Sequence, residues 1–571
     1  MPIAESYQQI LDPVADSFGL SSLFAVLPLL TLFVLLGGLK LKAWIAGLAS
    51  LAVALVVAIA VYGMPVSQGL LSASEGATFG FFPILWVVIN AIWVYNLTVH
   101  TGHFDVLRRS FEKVSPDQRI QAVIIAFCFG GLLEALAGFG TPVAISVVML
   151  MALGFAPIKA ATLALLANTA PVAFGALATP IVTLASVTSG VQPDTPGLTV
   201  DNLGAMVGRQ TPLLALFVPL LLVYVVDGRR GLRQTWLPAV VCGFAFAIGQ
   251  FVCANYISVP LADIVASLAG AAAVVLLLRF WQPSESPQLA RPAGHAPGPD
   301  GGDGSHNAGG VGTLTARPVT DSRIEIAKAY APYAVIVAIF SVSNLPAVKA
   351  ALAMEPWTMK FAWPGLDVLT TTGEPQASAT FSFGWLPAAG TLMILAGLIT
   401  MALLKVGPRR ALKIYGQTYY ELRYAIVTVM AVLALAYVMN QSGQTGTLGN
   451  FLAQTGGFFA VLSPILGWIG VAVTGSDTSA NALFGALQVQ TAASAGLDPV
   501  LLAAANTSGG VLGKMISPQN LAIAASAVGM AGQEGAIFRK VIGYSLVMLV
   551  FMCVLVALQA TPVLDWMIPT P

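Results

Sequence analysis

The sequence predicts an all-α polytopic membrane protein with about twelve transmembrane helices and two re-entrant hairpins, arranged as an inverted repeat. Three observations carry that prediction. Of 571 residues, 57% are hydrophobic and only 9% charged, whereas soluble domains carry about 25% charged residues. Apolar runs recur at roughly the 20-residue length that crosses a bilayer. Two segments, "NTAPVAFGALATP" (168–180) and "NTSGGVLGKMISP" (506–518), align without gaps.

Lys and Arg gather in the cytoplasmic turns of membrane proteins, which gives each element a direction. The first twenty residues hold Glu5, Asp12 and Asp16 but no Lys or Arg, the reverse of a signal peptide's basic start. The run 23–39 is therefore expected as a retained helix, closed on the cytoplasmic side by Lys40 and Lys42. The stretch 63–78, without Lys or Arg, is expected as an external loop. Arg108, Arg109, Lys113 and Arg119 bring the chain back inside. A hairpin at 120–154, entered from the cytoplasm, and a broken helix at 158–190 complete the crossings that lead to "DGRRGLRQ".

These elements make a first repeat over 20–226, followed by two connector helices at 227–281. The segment 282–326, rich in Gly and Pro, is expected as a flexible cytoplasmic linker. A second repeat spans 327–560, with an outside-entering hairpin at 464–492 and a broken helix at 499–530. An odd number of crossings in each unit gives the two copies opposite orientation, the plan of many secondary transporters. Both termini then fall outside.

Composition also excludes. A net charge of +1 gives no basic surface for nucleic acid. Cys128, Cys242, Cys253 and Cys553 lie in apolar runs without CxxC spacing and fit packing. His100 and His103 are one helical turn apart, and two ligands do not make a metal site. No HExxH, GxGD or serine-nucleophile motif supports an intramembrane enzyme. No cofactor and no metal are expected.

Irregular backbone at membrane depth is tolerated where protein buries it or where it lines a polar cavity. Gly138, Gly140 and Thr141 supply it at the first hairpin tip, and Gly475, Ser476, Thr478 and Ser479 at the second. Asn168 and Thr169, and Asn506, Thr507 and Ser508, mark the two helix breaks, with Gly509 and Gly510 adding to the second. The N–H stump of a broken helix carries partial positive charge and suits a carboxylate. The same small residues also fit plain helix packing.

Three ionisable residues stand out. Glu134 is the only charge between Arg119 and Lys159, and Lys514 the only one in 501–530. Asp477 occupies the tip sequence "TGSDTSAN". Each costs at least about 2.5–3.5 kcal/mol at the bilayer centre, so each needs a cavity or a partner. In the repeat alignment Lys514 falls on Ala176 and Asp477 on Gly140, so the scaffold itself does not require these charges. Lys514 is expected to pair with a substrate carboxylate, or with Asp477 when the site is empty. Glu134 or Asp477 is the candidate to carry a coupled proton.

Four segments, "GGLLEALAGFGTPVAI", "LLANTAPVAFGALATPI", "GVAVTGSDTSANALFGALQ" and "NTSGGVLGKMISPQN", together resemble the bacterial L-lactate permease family, which includes glycolate permeases. The resemblance covers nearly the whole chain. It implies uptake of L-lactate, D-lactate or glycolate by proton symport across the bacterial inner membrane, and in that membrane the outward termini expected from the charge pattern are periplasmic. The implied partners are the monocarboxylate, protons and lipid, the chain being a monomer or homodimer. Na⁺ coupling through amide, hydroxyl and carbonyl oxygens is the alternative. Analogy with ion-transporter folds that oppose two hairpins implies elevator-type movement.

Overall fold

The computed structural model describes residues 6–138, 140–189, 191, 197–283, 321–530 and 532–570. Most of the expected linker, 284–320, lies outside the described residues. Among the described residues, ten helices are long and apolar enough to cross a bilayer. Shorter apolar helices, among them Thr141–Ala152, Pro157–Ala167 and Gly175–Thr188, accompany them. At 1.5 Å rise per residue such pieces fall well short of a bilayer core of about 30 Å. They are the segments the sequence assigns to a hairpin arm and to the halves of a broken helix.

The first hairpin pairs Gln118–Leu136 with Thr141–Ala152, which pack on each other. The chain reverses through Gly138 and Gly140, at φ of +50° and +83°. The second hairpin pairs Phe459–Thr474 with Asp477–Ala495 and turns at Gly475, φ +75°. Ser476 caps the second arm, its Oγ accepting from the Ser479 N–H at 3.2 Å.

Both broken helices are interrupted, at aligned positions. Pro157–Ala167 ends at Asn168, and the chain resumes as Gly175–Thr188. Ala176, Leu177 and Ala178 stand at φ of 44°, 56° and 59°, a left-handed turn that costs L-residues about 1–2 kcal/mol each. Pro499–Gly513 passes into a single 3₁₀ turn, Lys514–Ile516, then an extended Ser517 and a new helix, Pro518–Ala527. Positions 176–178 are the alignment partners of 514–516.

Three expectations are corrected. Asn506, Thr507 and Ser508 do not sit at a break but inside the helix Pro499–Gly513, as do Gly509 and Gly510. A Cβ on Gly509 would collide with the Pro464 carbonyl oxygen, and one on Gly513 with that of Trp468. The glycines therefore let this helix pack at backbone distance on Phe459–Thr474.

The stretch 63–78 is not a loop: Val66–Phe79 is a helix against the long helix Pro408–Gln441. A Cβ on Gly76 would lie 2.5 Å from the Leu433 carbonyl oxygen, so its small, polar residues are a packing face. The chain is also not wholly α. Thr358–Ala362 pairs antiparallel with Thr380–Gly384, and Tyr7–Gln8 parallel with Val368–Leu369, because backbone outside the helices still needs partners.

Candidate functional site

A cavity of about 1080 Å³ opens among these interruptions. Glu134, Gly138, Gly175, Thr179 and Lys514 line it, with 475–479 from the second hairpin. Lys40, Lys42, Tyr424, Glu534 and Phe538 also border it.

Glu134 projects from the last turn of the first hairpin's entering arm, and Lys514 from the 3₁₀ turn in the second broken helix. The Lys514 Nζ lies 2.5 Å from Glu134 Oε1, with the two side chains 9% and 3% exposed. Glu134 Oε2 accepts from Asn168 Nδ2 at 3.0 Å. Gly175 leaves room for this carboxylate, since a Cβ there would sit 2.9 Å from Oε1. The Lys514 carbonyl accepts from Ser517 Oγ at 3.0 Å and Asn520 Nδ2 at 3.2 Å, which fixes the turn carrying the ammonium group.

The partner expected for Lys514 is thus corrected: it is Glu134, not Asp477. Asp477 begins the second hairpin's returning arm and is packed against Gly510, where a Cβ would strike Oδ1. Both its carboxylate oxygens are buried without a hydrogen-bond partner among the described residues. Around it the N-terminus of Asp477–Ala495 faces the cavity through Ser476, Thr478 and Ser479, a setting that favours an anion.

The two hairpin tips close on one short helix, Pro518–Ala527. A Cβ on Gly475 would lie 2.6 Å from Gln519 Oε1, and one on Gly140 would strike Ile523. Gly140 and Thr141 stand at the tip but do not line the cavity. Thr169 turns back to its own helix, donating to the Leu166 carbonyl at 2.7 Å. Asn168 reaches the site through Glu134.

Asn506, Thr507 and Ser508 are fully buried and belong to a separate network. Asn506 Nδ2 and Thr507 Oγ1 each donate to Asn481 Oδ1 at 2.9 Å, and Ser508 Oγ donates to Gln210 Oε1 at 2.7 Å. Asn481 Nδ2 in turn donates to the Pro180 carbonyl at 3.0 Å. These residues tie the second hairpin to both broken helices.

Sequence reasoning passed over several polar groups. Thr179 and Thr474 line the cavity; Thr179 had a signal, being the repeat partner of Ser517. Glu75 and Asp263 are fully buried acids, each the only formal charge in its stretch, 43–104 and 234–278. That isolation was a readable signal. Asn481 had none.

The family model for L-lactate permease matches residues 21–563. The L-lactate permease of Escherichia coli strain K12 is 41% identical over 573 residues, covering 99% of this chain and 100% of that one. The L-lactate permease of Bacillus subtilis strain 168 is 38% identical over 583 residues, covering 99% and 100%. The glycolate permease GlcA of Escherichia coli strain K12 is 39% identical over 552 residues, covering 95% and 96%. Interrupted helices around a buried Lys–Glu pair therefore occur in a chain matched to these permeases from end to end, and on that match the chain belongs to the L-lactate permease family.

Proposed function

We propose that the chain is a secondary transporter taking up L-lactate, D-lactate or glycolate by proton symport across the bacterial inner membrane. The names of its relatives support the substrate class, and a permease is a transporter rather than an enzyme. One observation carries the coupling: Lys514 is already matched by Glu134 within the cavity.

A single ammonium group can neutralise one carboxylate at a time. When a substrate carboxylate takes Lys514, Glu134 is left as an unpaired buried anion, which costs several kcal/mol. One proton on Glu134 removes that cost. One monoanion and one proton then enter together, and the charge within the site is unchanged. The N-terminal turn at 476–479 adds hydroxyl and backbone donors for the carboxylate and the neighbouring hydroxyl group. The halves act as an inverted repeat, the hairpins are re-entrant and the carrier moves as an elevator.

The test is uptake of labelled L-lactate into proteoliposomes. A pH gradient is expected to drive accumulation by the wild type. Glu134→Gln is expected to abolish that accumulation yet keep counterflow, which needs no net proton movement. Accumulation that follows a sodium gradient at fixed pH would replace proton coupling by Na⁺ coupling. Absence of counterflow in the wild type would leave a channel.

A further inference from the structure

Asp263 is fully buried in the first turn of Ala262–Leu277 and is not part of the cavity lining. Its Oδ1 accepts from Gln250 Nε2 at 2.7 Å, while its Oδ2 has no hydrogen-bond partner among the described residues. A carboxyl group held this way is costly as an isolated anion.

Two connections run from Asp263 toward Glu134. The first passes through the interruption in the first broken helix. Gln250 Nε2 also donates to the Ala170 carbonyl at 3.3 Å, and Asn168, two residues earlier, donates to Glu134. The second runs along the hairpin arm itself. Ser267 follows Asp263 by one helical turn, and its buried Oγ is unpartnered. That oxygen lies 2.7 Å from where a Cβ of Gly131 would stand, one turn before Glu134. Ser146 Oγ, also buried and unpartnered, faces Gly130 from the other hairpin arm. Small serines also serve close helix packing; here both hydroxyls stand beside the arm that carries Glu134.

We propose that Asp263 is a second proton-holding carboxyl of the carrier, exchanging its proton with Glu134 by way of the Ser267 hydroxyl and water. The step makes and breaks only O–H bonds. Asp263 as the acid gives a proton through one water to the Ser267 hydroxyl, while the hydroxyl's own proton passes through a second water to the Glu134 carboxylate. Asp263 is left as the carboxylate and is restored by a proton delivered as hydronium from the aqueous phase, which leaves water behind. The inference rests on the symport reading above.

The charged and titratable groups that act on Asp263 are Glu134 from the first hairpin, Lys514 from the second broken helix and Cys253 from the preceding segment. Cys128 and Cys242 face the same helix farther along, at Gly270. Gly175–Thr188, which also touches it, has no titratable side chain.

The test compares Asp263→Asn and Asp263→Glu with the wild type in proteoliposomes supplied with external labelled L-lactate. Asn keeps an acceptor for Gln250 but cannot release a proton. Asp263→Asn is expected to keep counterflow within about twofold and to lose at least about tenfold in pH-driven net uptake. Asp263→Glu is expected to restore net uptake with a displaced pH profile. Full pH-driven uptake by Asp263→Asn, with the wild-type pH profile, would overturn the proposal. So would loss of counterflow in both variants, which marks a folding role. A wild type that does not respond to pH overturns the symport reading itself, whereas a responsive wild type beside an unchanged Asp263→Asn overturns only the role of Asp263.

Discussion

Lys514 and Glu134 are 380 residues apart in the chain and 2.5 Å apart in space. Their contact joins the second broken helix to the first hairpin, so it braces the two elements, and in the proposed symport it also holds the charge that substrate displaces. Removing one member of a buried pair costs about 3–5 kcal/mol, because the other charge is stranded. Removing both strands nothing. The double variant Glu134→Gln/Lys514→Met is therefore expected to melt closer to the wild type than Glu134→Gln alone, and still to show no lactate uptake. Melting in detergent and uptake in proteoliposomes, measured on the same preparations, separate brace from site. A double variant that transports lactate would remove Lys514 from substrate binding.

Two glycines are expected to fail in different ways. Gly509→Ala pushes a Cβ into the Pro464 carbonyl oxygen, so it should lower the folded yield while leaving uptake per folded molecule near the wild-type value. Gly475→Ala forces a left-handed φ of +75° on an L-residue, at about 1–2 kcal/mol, and crowds Gln519 beside the cavity. It should fold and show a raised KM for lactate. Equal KM values for both variants would contradict the distinction between packing glycine and tip glycine.

That distinction was only partly legible in the sequence. The repeat located interruptions near Asn168 and Lys514, because glycine, proline and hydroxyl residues at aligned positions have few other uses in apolar helices. It could not separate a glycine that breaks a helix from one that lets another backbone approach. Gly509 and Gly510 look alike in either role, and only the proximity of Pro464 and Val471 decides. The charges of Glu134, Asp477 and Lys514 were visible as isolated ionisable groups, but their pairing was not. Pairing depends on which side of each interruption a side chain leaves the helix. Glu75 shows the converse: the small polar residues of its helix suit a loop equally well in sequence, although in the fold its buried Oε2 accepts from Gln441 Nε2 at 2.7 Å.

A pH effect is expected outside the spans, where Asp321 enters the helix Arg323–Ser343. Asp321 accepts from Arg109 at 2.6 and 3.0 Å and lies 3.6 Å from Lys113. The Arg109 hydrogen bonds, with the charges of Arg109 and Lys113, hold this carboxyl below its ordinary range. A lowered native value means the contribution to stability is full above the unfolded value, about 3.9, and is lost as pH falls through the native one. Asp321→Asn should melt below the wild type by the same margin at about pH 6 and pH 8, with the gap closing below about pH 4. A gap undiminished at about pH 3 would show that the contact acts through shape rather than charge.

Asp477 gives the sharpest division of roles within the cavity. It has no hydrogen-bond partner for either oxygen, whereas Glu134 holds both Lys514 and Asn168. An isolated buried carboxylate is expensive, but the acid form carries an O–H that can donate to a substrate oxygen. Asp477→Asn still offers an N–H donor in that place; Asp477→Ala offers none. One hydrogen bond is worth about 0.5–1.5 kcal/mol, which is up to about tenfold in affinity. Asp477→Ala should therefore raise the KM for L-lactate by up to about tenfold, and Asp477→Asn should change it little. If the coupled proton sits on Glu134, as proposed above, Asp477→Asn should also retain accumulation driven by a pH gradient. If Asp477→Asn instead loses accumulation while counterflow persists, the coupled proton belongs to Asp477, and the exchange of Lys514 between Glu134 and substrate no longer explains the coupling.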